Sequence, residues 1–201
     1  MAAFSVIFPL VVLLADGFFA DNASAQLHAV PITAPDTTYQ MHQYSVLAPK
    51  GKDWFELKRD KYYVYFGKKI ASRTHSFIAT AISASLSQKF SNLEEFRDFV
   101  ENSLSLRGNE RHTVIEKRAE LNSGPGRFCV RHYTKAEDRN ALGGDGKSLS
   151  VVTHGISCLH PDNPGFSVDV SYTERGLPAE LGSTLREEGE AFLLSLRFVP
   201  R

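Results

Sequence analysis

Only two cysteines occur in 201 residues, and they form no Cys-x-x-Cys pair, the usual arrangement for a reactive thiol. Neither sign of charge is in excess. With 23 Lys+Arg against 23 Asp+Glu and a pI near 7.1 there is no basic field to collect phosphates, which excludes nucleic-acid binding driven by counterion release. No repeat, heptad seam or long low-complexity tract is present. Motifs of assembled catalysts are missing as well: there is no G-x-S-x-G, no H-E-x-x-H, and no S-x-x-K with matching downstream motifs. No apolar run reaches the roughly 20 residues that cross a bilayer. What remains is ordinary globular composition, 42% hydrophobic and 23% charged, which predicts a folded chain with a sizeable core.

The apolar stretch at residues 2–15, AAFSVIFPLVVLLA, is too short to span but has the length of a signal-peptide core. Ala23-Ser24-Ala25 follows with the small-x-small pattern that a signal peptidase admits. Residues 1–25 are therefore expected to be a signal peptide cleaved after Ala25, although no Lys or Arg precedes Lys50 to form a positive leader. The mature chain is expected to be secreted or periplasmic, with no membrane span.

Residues 26–41 carry Pro31 and Pro35 without periodicity and predict an extended lead-in or a loosely held first strand; residues 42–201 predict a single α+β domain. Clusters of Tyr, Phe, Val, Ile and Thr between turn signals predict strands near 42–47, 53–58, 61–67 and 74–86. The period then changes. Leu93, Phe96, Val100 and Leu104 recur at helical steps over 91–107, with Ser91 and Glu94 spaced as a capping box. Strands follow near 111–121, 126–135, 148–160 and 166–174, then a second helix opened by Pro178 and ending near Phe198. Short turns between strands dictate a mainly antiparallel sheet of about seven strands, covered by two helices.

Cys129 and Cys158 lie in consecutive predicted strands, and a symmetric hairpin that pairs them turns within Gly143-Gly144-Asp145-Gly146. That register places the two sulfurs within disulfide reach, and an exported chain meets an oxidising compartment, so a structural disulfide is expected. The alternative is a Zn or Cu site of Cys129, Cys158 and His160, which needs both thiols free. The segment from Ala141 to Ser148, ALGGDGKS, has the look of a phosphate loop, but its strand context makes it a hairpin turn. A hydrolase could still assemble a dispersed Ser/His/Asp site from distant strands, drawing on scattered histidines such as His75, His112, His132 and His154. Polar residues at predicted strand ends, where binding groups usually sit, nominate Arg73, His75, Asp138, His160 and Arg175 as ligand contacts. The run Tyr62-Tyr63-Val64-Tyr65-Phe66 reads as a strand with rings on both faces.

The order of elements resembles the α/β/α sandwich of the PsbP-like proteins, a fold also met in photosystem-associated extrinsic proteins and a nuclear Ran-binding factor. The stretches FCVRHYTKAEDRNA, HGISCLHPDNPG, VSYTER and EGEAFLLSLRF resemble uncharacterised exported bacterial proteins. Neither likeness transfers a functional residue or a cofactor. Together with the missing motifs they imply a non-catalytic binding or accessory module of the cell envelope, whose partner is an envelope protein or a small ligand.

Overall fold

The structure, a computed structural model, describes residues 29–34, 36–104, 111–139, 141 and 146–200, with backbone alone at 183 and 184. The expected signal peptide lies outside the described residues, as do Gly143, Gly144 and Asp145 of the expected turn. In chain order the elements are β1 (Val30–Pro31), β2 (Thr38–Gln40), β3 (Tyr44–Leu47), β4 (Trp54–Arg59), β5 (Tyr63–Lys68), β6 (Ser76–Ser85) and α1 (Leu93–Ser103). There follow β7 (His112–Asn122), β8 (Cys129–Asp138), β9 (Leu149–His160), β10 (Asn163–Gly176), α2 (Ser183–Leu193) and β11 (Arg197–Phe198). Among the described residues no helix is long and apolar enough to cross a membrane.

Eight strands form one antiparallel sheet in the order β1-β4-β5-β6-β10-β9-β8-β7, and β11-β3-β2 form a second, smaller sheet. The α+β architecture is as expected, and the main sheet's eight strands agree with the expected count of about seven, although their membership differs. Tyr44–Leu47 leaves the main sheet to pair with Thr38–Gln40 and Arg197–Phe198, while Val30–Pro31 from the lead-in pairs with β4. Segments of two or three residues are too short to show a period, so only their pairing defines them as strands.

Side chains alternate across the large sheet and give it two faces. On the front face Val64, Phe66, Ala81, Ile156 and Val170 pack with Tyr44 and Val46 of the small sheet and with Phe192 and Leu193 of α2. On the back face Val130 and Leu159 meet Phe96 and Val100 of α1. Phe96 and Phe192 are each only 1% exposed, and burying such a side chain contributes about 1.5–3 kcal/mol. Tyr63 and Tyr65 stand on the back face and Val64 and Phe66 on the front, so the aromatic run does present rings to both sides.

Cys129 and Cys158 are directly opposite and bonded, with Cα atoms 4.2 Å apart. The register holds without a shift from that pair to Asp138 and Leu149, as a symmetric hairpin requires. Both helices start later than the sequence suggests. In α1 the cap is Asn92, whose side chain accepts from the Glu95 N–H at 2.8 Å, rather than Ser91 with Glu94. Glu95 reaches back to the Ser91 N–H at 2.8 Å, one residue before the cap, so the returning carboxylate is present but serves the residue preceding the cap. The segment around Pro178 is a turn and not the opening of α2. There the Glu180 N–H donates to the Leu177 carbonyl, and the Glu180 carboxylate accepts from the Leu177 N–H at 2.7 Å and from Thr74 and Ser72. A segment tied down by its own carboxylate in this way cannot also wind as a first helical turn. Helix α2 ends at Leu193, because Arg197 and Phe198 are drawn out to pair with β3.

Candidate functional site

Four of the five nominated contact residues, Arg73, His75, Asp138 and Arg175, lie at one end of the sheet, where β6 begins and β8 and β10 end, and two of them, Asp138 and Arg175, share a cluster. Asp138 is fully buried and accepts from Arg111 through both carboxylate oxygens, at 2.6 and 2.8 Å. His112 Nε2 lies 3.8 Å and Arg175 Nε 3.7 Å from the same carboxylate. Burial pushes the His112 imidazole below its ordinary pKa against the pull of Asp138, with Arg111 and Arg175 adding to the downward shift. His75 lies on the front side instead, its Nε2 2.7 Å from Glu174 Oε1, and Arg73 is exposed nearby.

His160 sits at the opposite end of β9 and faces inward. It is fully buried between Phe198 and Phe166, Nε2 donates to the Val199 carbonyl at 3.1 Å, and Nδ1 accepts from the Asp162 N–H. Both nitrogens are therefore occupied by backbone. The Zn or Cu alternative fails on the same residues, because bonded sulfurs are not thiolate ligands and the third ligand has no free nitrogen. Among the described residues no group of three or more His, Cys, Asp and Glu is placed to hold a metal ion.

On the back face the sheet does bring Asp, His and Ser together. His132 Nε2 donates to Asp169 Oδ2 at 2.7 Å, and Ser157 Oγ donates to the same oxygen at 2.5 Å. The residue on β9 opposite His132 is Gly155, and the imidazole covers it: a Cβ there would lie 2.3 Å from the ring. Burial works against the Asp169 charge, yet His132, Ser157 and Ser171 outweigh it and hold the carboxyl below its usual range. The wiring is not that of a nucleophile. In a catalytic triad the serine donates to the imidazole, and the carboxylate holds the other ring nitrogen. Here serine and histidine share one carboxylate oxygen, and His132 Nδ1 is buried without a hydrogen-bond partner among the described residues.

A cavity of about 290 Å³ opens between the front face and the start of α2. Strand β9 supplies Val152 and His154, and β10 supplies their cross-strand partners Glu174 and Tyr172. Leu181 and Gly182 close one side from the turn before α2, and Arg186 lines it from the first turns of the helix. The His154 ring stacks on Tyr172 with centroids 5.1 Å apart and meets the edge of Tyr133 at 5.0 Å. Tyr172 in turn packs under Gly189 of α2, where a Cβ would come within 2.5 Å of the ring. Its hydroxyl donates to Glu190 Oε1 at 2.9 Å, and Arg131 binds both oxygens of that carboxylate. Burial opposes the Glu190 charge, but the Arg131 and Tyr172 donors hold its carboxyl below the ordinary value. Burial, with Arg186 and Arg131 nearby, pushes His154 down to about 4, so its ring is neutral at pH 7. Glu174 Oε1 accepts from His75 and from the Gly182 N–H at 3.3 Å. Among the described residues neither His154 nor Arg186 makes a hydrogen bond or ion pair.

Of the cavity residues, the sequence singles out His154 only as one scattered histidine; Glu174 stands next to the nominated Arg175 without being nominated, and Arg186 carries no signal. The missing information is the β9–β10 register. A symmetric hairpin about the turn from His160 to Gly165 sets the wrong pairing, because the register slips by three residues between Asn163↔His160 and Ser167↔Leu159. An odd slip exchanges the faces of a whole strand.

No protein-family profile matches the chain, and no curated protein sequence does either. Among solved structures it is similar to the Ran-binding protein Mog1p of Saccharomyces cerevisiae, at 9% identity and a TM-score of 0.45, over 81% of this chain and 95% of that one. A point mutant of Mog1 aligns with the same values. A likeness of this strength bears on neither ligand nor partner.

Proposed function

We propose that this chain is a non-catalytic binding module of the cell envelope, exported by removal of residues 1–25, which holds a small ligand in the cavity between the sheet and α2. The observation that carries this is the cavity's chemistry: a neutral His154 and an Arg186 that makes no ion pair among the described residues, beside apolar Val152 and Leu181, with no Ser or Cys among the described lining residues. Few polar groups converging on an apolar wall is the usual make-up of a ligand site. The resemblance of the last third to exported bacterial proteins supports the envelope address. A dispersed hydrolase site is disfavoured by Ser157, whose proton is directed at Asp169 and not at His132.

The test is a mixed fragment library titrated into the isotope-labelled, oxidised protein and followed by NMR. Resonances of His154, Tyr172 and Gly182 are expected to move together with at least one fragment class. A library that leaves all three unmoved overturns the site. Labelling of Ser157 by a serine-directed activity probe would restore the hydrolase. Edman sequencing of secreted material is expected to begin at Gln26, and recovery of an intact Met1 from inside the cell would remove the envelope from the proposal.

A further inference from the structure

Given the cavity as the ligand site proposed above, we infer that it accepts a small zwitterion of the α-amino acid type, carboxylate on Arg186 and ammonium on Glu174. The two charged groups are of opposite sign, and each keeps bonding capacity. Glu174 commits one oxygen, Oε1, to His75 and the Gly182 N–H, while Oε2 accepts no hydrogen bond among the described residues. Arg186 is exposed and makes no ion pair among the described residues, so its guanidinium fork is open to a carboxylate. Because one cavity of about 290 Å³ is lined by both, the ligand's two charges must lie close together in one small molecule.

Simpler ligands leave a conflict. A plain carboxylate that pairs with Arg186 faces the open oxygen of Glu174, and a plain amine that pairs with Glu174 faces the guanidinium. Like charges facing each other across one small cavity repel, whereas a zwitterion satisfies both groups at once. The neutral His154 adds no third charge and can donate or accept one hydrogen bond. Val152 and Leu181 leave an apolar wall for a short side chain. Valine fits this description.

The experiment titrates L-valine, N-acetylvaline and isobutylamine at millimolar concentration into the oxidised full chain, reading the resonances of His154, Tyr172 and Gly182. L-Valine is expected to shift all three, and the two single-charge compounds to bind at least about tenfold more weakly. R186Q, whose site is on the surface and whose fold is checked by near-UV circular dichroism, is expected to weaken L-valine by at least about tenfold and to leave isobutylamine unchanged or tighter. N-Acetylvaline binding as tightly as L-valine overturns the zwitterion while leaving the cavity as a site. The same holds if no compound of this panel moves the three resonances while another fragment of the library does. If nothing in either panel moves them, the cavity itself falls.

Discussion

Gly155 and His132 occupy one place that a larger residue cannot share. A Cβ at position 155 would lie 2.3 Å from Cε1 and 2.4 Å from Nε2 of His132, so Gly155→Ala must displace the imidazole and break its bond to Asp169. Overpacking of that kind costs about 1–3 kcal/mol, read as a lower urea midpoint at unchanged slope. His154 predicts a pH effect. Its folded-state pKa of about 4 lies below the ordinary 6.5, so the unfolded chain takes up this proton first as the solution is acidified. Stability is therefore lost as pH falls from about 6.5 towards 4, and this group adds no further loss below that window. Thermal melts at pH 7 and pH 4.5 are expected to show a larger drop for the wild type than for His154→Gln. A substituted chain that tracks the wild type at both pH values would mean that the ring is not desolvated by Tyr172 and its neighbours.

At the scale of elements, α1 depends on its first turn. Asn92 Oδ1 accepts the Glu95 N–H at 2.8 Å, and the helix has no basic residue in its last turn to complement the macrodipole. Asn92→Ala is expected to cost about 1 kcal/mol, seen as a lower melting temperature. The effect reaches the back-face core, because α1 is what buries Val130 and Leu159. Both Ser91 and Asn92 are good caps and both stand three residues before a glutamate, so local sequence leaves the choice between them open by one residue. Helix α2 is governed from outside itself. Its start is set by the turn that Glu180 anchors to Leu177, Thr74 and Ser72, and its glycine at 189 admits the Tyr172 ring.

For the molecule as a whole, the Cys129–Cys158 bond closes a loop of about 30 residues, for which the chain-entropy model gives roughly 3–4 kcal/mol. Reduction is expected to lower the urea midpoint correspondingly, and thiol counting on the native protein to find none free; two free thiols would remove the bridge. That pairing was legible from residue numbers, because β8 and β9 form a symmetric hairpin and symmetry about a glycine-rich turn fixes every partner. The strand and helix periods were legible for the same reason: each is a local pattern that a short window contains. Chain ends, the small sheet and the cavity were not. Val30–Pro31 and Arg197–Phe198 become strands only by meeting distant partners, Thr38–Gln40 is too short to show a period, and the cavity exists only because a register slip near Asn163 sets His154 against Tyr172. The sequence alone thus determined the main elements and the covalent link between two of them. Tertiary structure decided which side chains share a space, since that depends on non-local register and packing that no local period encodes.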